Sequence, residues 1–223
     1  MRLSLRGLLV DMDGTLLDSE KLWDIALVDV ATWLGGTLSN RARQHMVGTS
    51  LARAIAILHD DLGIDADPES SSAYLLERAE ELFRTDLVWK PGAPQLLHAA
   101  KAAAVPTALV TSTHRRLADV ALEFMGRTLF AASVCGDEVA HPKPAPDPYV
   151  LAAARLGVAA TRCIAIEDSP VGVTSAEAAG CTVLAVPSEI PIPATPTRAV
   201  WPSLEGVTIE TLSRLVGGAA EAR

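Results

Sequence analysis

Five short apolar segments, each four or five residues long, constrain the fold of this chain more than any other feature of its sequence. They are apolar along their whole length rather than at alternate positions, and patterns of helical spacing separate them. Continuous apolar strands are typical of a parallel sheet that is covered by helices on both faces. We therefore predict an α/β fold with a parallel sheet. The predicted strands are Leu8–Asp11, Thr107–Thr111, Ala132–Cys135, Cys163–Glu167 and Thr182–Val186.

One long stretch interrupts this alternation of strands and helices. Between about residues 20 and 86 no segment has the pattern of a strand, whereas apolar residues recur at helical spacing. Gly35-Gly36 and the polar cluster Asp65–Ser72 divide the stretch into three or four helices. The sequence thus predicts a helical domain inserted into an α/β core. Residues 18–87 would form the helical domain, and residues 1–17 and 88–223 the core.

Charge and hydropathy narrow the classes of partner. The 223 residues include 19 Lys and Arg against 27 Asp and Glu, a formal net charge of −8, which disfavours nucleic acids and anionic membranes as principal partners. A small phosphorylated substrate is compatible with this net charge, because a few local cations suffice to bind it. No apolar run approaches the roughly 20 residues that span a bilayer, and the N-terminus lacks a signal-peptide pattern. We therefore expect a cytoplasmic protein whose three cysteines are buried thiols.

Two aspartates follow the first predicted strand. Asp11 and Asp13 come after the apolar segment that ends at Val10, and Gly14 comes next. Ligand sites of open parallel sheets lie at the carboxyl ends of the strands. A carboxylate at that edge can act as a nucleophile or as a metal ligand, and Asp13 can act as an acid and a base. A turn rich in aspartate, without any chemistry, is the alternative.

A second pair of carboxylates, Glu167 and Asp168, ends the fourth predicted strand. Two acidic strand ends that lie close together repel each other unless a cation lies between them. Ligands that offer only oxygen favour a hard ion, of which Mg²⁺ is the first choice. The alternative is that Asp168 only caps the helix that follows.

Hydroxyl groups and one lysine are suited to binding phosphate. Thr111 and Ser112 follow the second predicted strand and precede a helix, which is a favourable place for a phosphate. Capping that helix is the alternative. Lys143 is one of four lysines in the chain and lies among prolines that stiffen its segment. A rigid loop with one cation suits a charge clamp on phosphate, and a solvated lysine is the alternative.

The order of these four signals along the chain resembles that of the haloacid dehalogenase superfamily. Three stretches, Asp11–Glu20, Gly136–Tyr149 and Ile166–Gly180, carry the resemblance, which extends over nearly the whole chain. The chain is most similar to the subfamily that contains β-phosphoglucomutase and small-molecule phosphatases. This resemblance implies a Rossmann-like three-layer core with an inserted α-helical cap domain.

The resemblance also implies a role for each polar group. Asp11 would be the nucleophile that forms an aspartyl-phosphate, and Asp13 would protonate the leaving oxygen and then activate water. Thr111 would hydrogen-bond the transferring phosphoryl group, and Lys143 would neutralise charge on it. The ligands of Mg²⁺ would be Asp11, the main-chain carbonyl of Asp13, Asp168 and Glu167, the last directly or through water.

Within this superfamily we expect a phosphatase. Haloacid dehalogenases lack the aspartate that stands here as Asp13, and phosphonatases use a cap lysine, whereas Lys21 lies close to the hinge. The β-phosphoglucomutases are the alternative, although their Lys-Gly-x-x-Arg signature reads Val47-Gly48-Thr49-Ser50-Leu51 here. A non-catalytic relative that binds a metabolite or a protein is the alternative of another class.

Residues that contact the substrate are expected in the cap and beside the phosphate site. They are Glu20, Trp23, Gly48, Thr49 and Ser112. A sugar phosphate, a polyol phosphate or a nucleotide-like monophosphate is compatible with the sequence. The oligomeric state is expected to be a monomer or a weak dimer, and the proline-rich segment Pro187–Pro202 is either a surface loop or a dimer contact.

Overall fold

A single parallel sheet organises the chain in a computed structural model, which describes residues 5–46 and 49–221. Its six strands have the order β3-β2-β1-β4-β5-β6, and every neighbouring pair is parallel. The predicted α/β fold with a parallel sheet is confirmed. The strands are β1 (Gly7–Val10), β2 (Thr107–Val110), β3 (Ala132–Val134), β4 (Cys163–Glu167), β5 (Thr182–Ala185) and β6 (Arg198–Val200).

Nine α-helices accompany the sheet in the part of the chain that the structure describes. Four of them follow β1 without an intervening strand: α1 (Glu20–Trp33), α2 (Asn40–Met46), α3 (Leu51–Leu62) and α4 (Pro68–Asp86). The other five are α5 (Ala93–Ala102), α6 (Arg115–Met125), α7 (Asp147–Arg155), α8 (Pro170–Ala178) and α9 (Ile209–Glu221). None of the described helices combines the length and the apolar composition needed to cross a membrane.

The sheet is buried on both faces, which explains why its strands are apolar throughout. Successive side chains of a strand point to opposite faces. Leu8 and Val10 therefore pack into one apolar cluster with residues of α5, α6 and α9, whereas Leu9 packs into a second cluster with residues of α7 and α8. The result is the three-layer arrangement of helices, sheet and helices that the family resemblance implied.

One strand was not predicted. Residues 198–200 form β6 at the edge of the sheet, beside β5, within a segment that we expected to be a surface loop or a dimer contact. The strand is short and half-buried, so it has no apolar run to reveal it. Arg198 fixes it to α8, because its Nε donates to Glu177 Oε1 at 3.1 Å and its Nη2 to Oε2 at 2.5 Å.

The helical segment α1–α4 leaves and rejoins the rest of the chain at a short two-stranded joint. Leu17 and Trp89 form an antiparallel bridge. The backbone N–H of Asp18 donates to the carbonyl of Val88 at 2.9 Å, and that of Lys90 donates to Leu16 at 2.8 Å. The segment that leads into α1 and the segment that follows α4 are therefore hydrogen-bonded to each other.

Candidate active site

The carboxyl ends of three neighbouring strands bring the predicted polar residues together. Because β1 lies between β2 and β4, Asp11 after β1 stands between Thr111 after β2 and Asp168 after β4. The backbone N–H of Asp11 donates to the carbonyl of Ile166 at 3.0 Å, and that of Thr111 donates to Val134 at 2.9 Å. These bonds continue the sheet by one residue and fix the direction of the side chains.

Lys143 reaches this edge from the loop before α7. Its Nζ donates to Asp11 Oδ1 at 2.7 Å, to Glu167 Oε1 at 2.7 Å and to the carbonyl of Val110 at 3.0 Å, so all three ammonium protons have acceptors. Burial alone would lower the pKa of Lys143, but the two carboxylates raise it above its usual value. The lysine is thus a permanent positive charge inside the protein, with only 4% of its side chain exposed.

Carboxyl groups outnumber ammonium groups at this edge, and they oppose one another's ionisation. Burial raises the pKa of Asp11 well above its usual value; Lys143 lowers it, but Glu167 and Asp168 add to the rise. Burial and Glu167 likewise raise the pKa of Asp168 to about 7. Three carboxylates around one ammonium leave a surplus that a bound cation would offset.

The carboxylates of Asp11, Glu167 and Asp168 fit a divalent metal ion. One oxygen of each lies within 4.8 Å of the others, and hard oxygen ligands suit Mg²⁺. Oε1 of Glu167 is already engaged by Lys143. Within the described residues Asp168 is hydrogen-bonded to hydroxyls alone, with Oδ2 2.5 Å from Ser188 Oγ and Oδ1 3.4 Å from Thr15 Oγ1. Because Lys143 also engages Oδ1 of Asp11 at 2.7 Å, Asp168 is the best placed of the three to change partners.

Gly14 explains how the chain turns away from this edge. Its φ of +75° lies in the left-handed region, which favours glycine. A Cβ atom at this position would lie 2.1 Å from Asp168 Oδ2. A side chain here would displace the carboxylate that we expect to bind metal.

Four donors surround the carboxylate of Asp13. Thr113 Oγ1 donates to Oδ2 at 2.7 Å and Thr111 Oγ1 at 3.2 Å. Ser19 Oγ donates to Oδ1 at 2.5 Å and Trp23 Nε1 at 3.2 Å. One carboxylate oxygen is thus held by the sheet edge and the other by the beginning of α1.

Tyr149 contacts both members of the ion pair between Lys143 and Glu167. Its hydroxyl donates to Glu167 Oε1 at 2.6 Å, and its ring lies 5.3 Å from Lys143 Nζ, in the range of a cation–π contact. The side chain is fully buried. Burial and Glu167 raise the pKa of Tyr149 well above its usual value, so it remains a hydrogen-bond donor.

Replacement of Tyr149 by phenylalanine should lower the free energy of unfolding by about 1.5–3 kcal/mol, the usual loss for a hydrogen bond to a charged group. Urea unfolding at pH 7 measures the loss. Tyr74→Phe is the matched control, because Tyr74 is partly exposed and stacks on Trp33; it should change the free energy by less than about 0.5 kcal/mol. Equal effects of the two substitutions would contradict a special role of Tyr149.

A cavity of about 650 Å³ opens above these residues, between the sheet edge and α1–α4. Asp11, Asp13, Lys143 and Asp168 line it, and so do three of the residues expected to contact substrate, namely Glu20, Trp23 and Ser112. Thr49 is not among the described residues that line it; its hydroxyl donates to the carbonyl of Met46 at 2.8 Å. Gly48 lies outside the described residues.

Several contacts at the site were not foreseen. Thr113, rather than the exposed Ser112, turns inward to Asp13, and the position two residues after Thr111 could have indicated this. Ser19 and Trp23 were not expected to bond Asp13. Ser188 lies 3.1 Å from Glu20 Oε1 and 2.5 Å from Asp168 Oδ2, and no local pattern in the sequence marks it.

Comparisons with known proteins agree with this geometry. A family model described as haloacid dehalogenase-like hydrolase matches residues 5–180. Hexitol phosphatase A of Escherichia coli (strain K12) is 32% identical over 219 residues, which cover 92% of this chain and 94% of that protein. Fructose-1-phosphate phosphatase YqaB of the same organism is 32% identical over 183 residues, 78% of this chain and 92% of that protein.

Solved structures show the same architecture. CbbY from Rhodobacter sphaeroides in complex with phosphate superposes with a TM-score of 0.84 at 26% identity, over 93% of this chain and 99% of that chain. A protein described as a putative β-phosphoglucomutase from Thermotoga maritima gives a TM-score of 0.71 at 26% identity, over 96% and 99% of the two chains.

Proposed function

Since the chain belongs to the haloacid dehalogenase-like hydrolase family, we propose that it is a Mg²⁺-dependent phosphatase that hydrolyses a small phosphorylated metabolite through an aspartyl-phosphate. The observation that carries the proposal is Asp11, which lies at the floor of the cavity with Lys143 Nζ 2.7 Å from its Oδ1. The relatives named as hexitol and fructose-1-phosphate phosphatases support a sugar phosphate or a similar phosphomonoester as substrate.

In the first step, a carboxylate oxygen of Asp11 attacks phosphorus while the bond between phosphorus and the leaving oxygen breaks. Asp13, in its protonated form, gives its proton to that oxygen, so the product leaves as a neutral alcohol. Lys143 stays charged and offsets negative charge on Asp11 and on the phosphoryl group. Thr111 donates its hydroxyl to Asp13 Oδ2 at 3.2 Å in the structure and would turn that hydroxyl to the phosphoryl oxygens when substrate binds.

In the second step, water attacks phosphorus and the bond to Asp11 breaks. Asp13, now a carboxylate, takes a proton from the water, and phosphate leaves. The donors on both oxygens of Asp13 (Ser19 and Trp23 on one, Thr111 and Thr113 on the other) orient this carboxylate between the two steps.

Asp11, the main-chain carbonyl of Asp13 and Asp168 would hold Mg²⁺, with Glu167 as a ligand directly or through water. The bound ion supplies positive charge that neutralises the carboxylates and the phosphoryl oxygens. We also propose that residues 18–87 act as a cap over a core formed by residues 1–17 and 88–223. The protein would work in the cytoplasm as a monomer or a weak dimer.

Phosphate release from a panel of phosphomonoesters tests the proposal. We expect release from fructose 1-phosphate, sorbitol 6-phosphate or a related ester with Mg²⁺, and a loss of about 100-fold or more when EDTA removes the metal. Adding back Mg²⁺ should restore the rate. Equal rates with and without EDTA would contradict the metal requirement.

The match to a protein described as a putative β-phosphoglucomutase makes one further assay necessary. β-Glucose 1-phosphate is incubated with a glucose bisphosphate primer, and glucose 6-phosphate and free phosphate are measured together. Conversion without release of phosphate would replace the phosphatase by a mutase. Absence of any turnover across the panel, together with retained binding of phosphorylated ligands, would favour a non-catalytic relative.

A further inference from the structure

The cavity above the carboxylates has two unlike parts. Its floor is the charged site already described, whereas α1–α4 contribute an aliphatic wall together with polar side chains such as Glu20, Lys21 and Gln44. The aliphatic side chains are Leu27 of α1, Met46 of α2, Leu51 of α3, and Leu75 and Leu76 of α4. A volume of about 650 Å³ lies within the range of sites that enclose ligands of drug size, roughly 300–1,000 Å³.

Such a wall does not suit a leaving group that carries a hydroxyl on every carbon. Hydroxyl groups placed against aliphatic carbon lose their bonds to water and gain none, which is unfavourable. A flat ring suits it better, because the faces of the ring are apolar and its polar groups lie at the edge. The aliphatic wall therefore favours a ring over an open polyol, whose hydroxyls would have to find their partners among the polar side chains of the cavity.

Two ion pairs line the same cavity: Lys21 with Asp18 and Arg43 with Asp24. Arg43 on α2 donates from Nη2 to Asp24 Oδ2 at 2.7 Å, and both residues line the cavity. Nε of Arg43 is the one buried side-chain nitrogen or oxygen without a hydrogen-bond partner in the described part of the chain. Unsatisfied buried donors are rare in proteins and call for an explanation. A ligand atom that accepts from the guanidinium, after a small shift of the side chain, would supply one.

Arg43 and Asp24 together present a donor beside an acceptor. The edge of a ring amide offers the matching carbonyl and N–H groups. Resting on the proposed phosphatase function, we propose that the leaving group of the preferred substrate is a nucleoside. Its ring packs against the aliphatic wall, and a ring carbonyl or nitrogen accepts a hydrogen bond from Arg43.

Matched substrates test this inference. Uridine 5′-monophosphate and ribose 5-phosphate share the phosphorylated pentose and differ in the ring, and adenosine 5′-monophosphate adds a larger ring. We expect kcat/KM to be about 10- to 100-fold higher for at least one nucleotide than for ribose 5-phosphate. Equal or lower values for both nucleotides would overturn the inference, whereas absence of phosphate release from all three and from sugar and polyol phosphates would contradict the proposed function itself.

Substitutions in the cavity test which side chains cause the preference for a nucleotide over ribose 5-phosphate. Arg43→Met and Leu51→Ser should each reduce the ratio of kcat/KM between the preferred nucleotide and ribose 5-phosphate by about tenfold. Arg53→Met is the matched control, because Arg53 is exposed on α3 and does not line the cavity; the ratio should not change. Arg43→Lys keeps the charge and provides a second variant if Arg43→Met does not fold. An unchanged ratio in folded Arg43 and Leu51 variants would overturn the assignment of this wall.

Discussion

Phosphate release should fall by a factor on the order of 10⁴–10⁶ when Asp11 is replaced by asparagine, the range found when a covalent nucleophile is removed. An amide oxygen is a poor nucleophile toward phosphorus. The shape of the side chain is nearly unchanged, and its oxygen can still accept from Lys143, which lies 2.7 Å from Oδ1 in the wild type. The substitution therefore separates the chemistry from the packing.

The thermal stability of Asp11→Asn should not fall along with its rate of phosphate release. Burial, together with Glu167 and Asp168, opposes the ionisation of Asp11 more than Lys143 favours it, so the pKa of Asp11 is raised. A neutral side chain therefore relieves repulsion, and without Mg²⁺ the thermal midpoint should be equal to that of the wild type or higher. Asp60→Asn on the exposed end of α3 is the control and should leave both quantities unchanged. Activity of Asp11→Asn within tenfold of the wild type would contradict the assigned nucleophile.

Replacement of Lys143 by methionine should affect both stability and activity. It leaves Asp11 and Glu167 buried without a counter-charge, and breaking one partner of a buried ion pair costs about 3–5 kcal/mol. Separately from this loss of stability, removal of a group that stabilises charge in the transition state should lower kcat by a factor of about 10²–10³. Urea unfolding and steady-state kinetics measure the two losses separately.

A double variant distinguishes the two roles of Lys143. In Lys143→Met/Glu167→Gln one of the two stranded carboxylates becomes neutral, so part of the lost stability should return while kcat stays low. Lys101→Met is the matched control, since Lys101 is exposed and bonds only Thr128 among described side chains. Recovery of kcat together with stability would show that Lys143 acts only through folding.

The residues at the strand ends could be predicted because a general rule places them. In a parallel sheet all strands end at the same edge, so Asp11, Thr111 and Asp168 were expected at that edge once the strands were recognised. The order β2-β1-β4, which makes them neighbours, was not predicted. Lys143 was recognised as a cation in a stiff loop. Its burial between two carboxylates depends on the path of that loop across the sheet edge, which the local sequence does not specify.

The contacts that were missed depend on packing between distant elements. Arg43 lies on a short helix, and charged residues of helices usually face solvent, so no local pattern placed it in the cavity. Ser188 reaches the site from the loop after β5, a proline-rich segment in which no local pattern singles it out. β6 forms because α8 and β5 hold it, rather than because Arg198–Val200 has the composition of a strand.

The antiparallel bridge between Leu17 and Trp89 holds the two ends of the helical segment α1–α4 side by side, so this segment is a closed loop inserted after β1. The entropy of closing a loop depends only weakly on its length. The stability of the sheet and the positions of its carboxylates should therefore depend little on the number of residues between Leu17 and Trp89. Under the proposed function, helices that would select the leaving group could therefore be lengthened, exchanged or redesigned as a module. The two parts of the chain also touch where Glu80 of α4 pairs with Arg116 of α6 and where Trp23 bonds Asp13, so a redesign that keeps the reaction should leave these contacts in place.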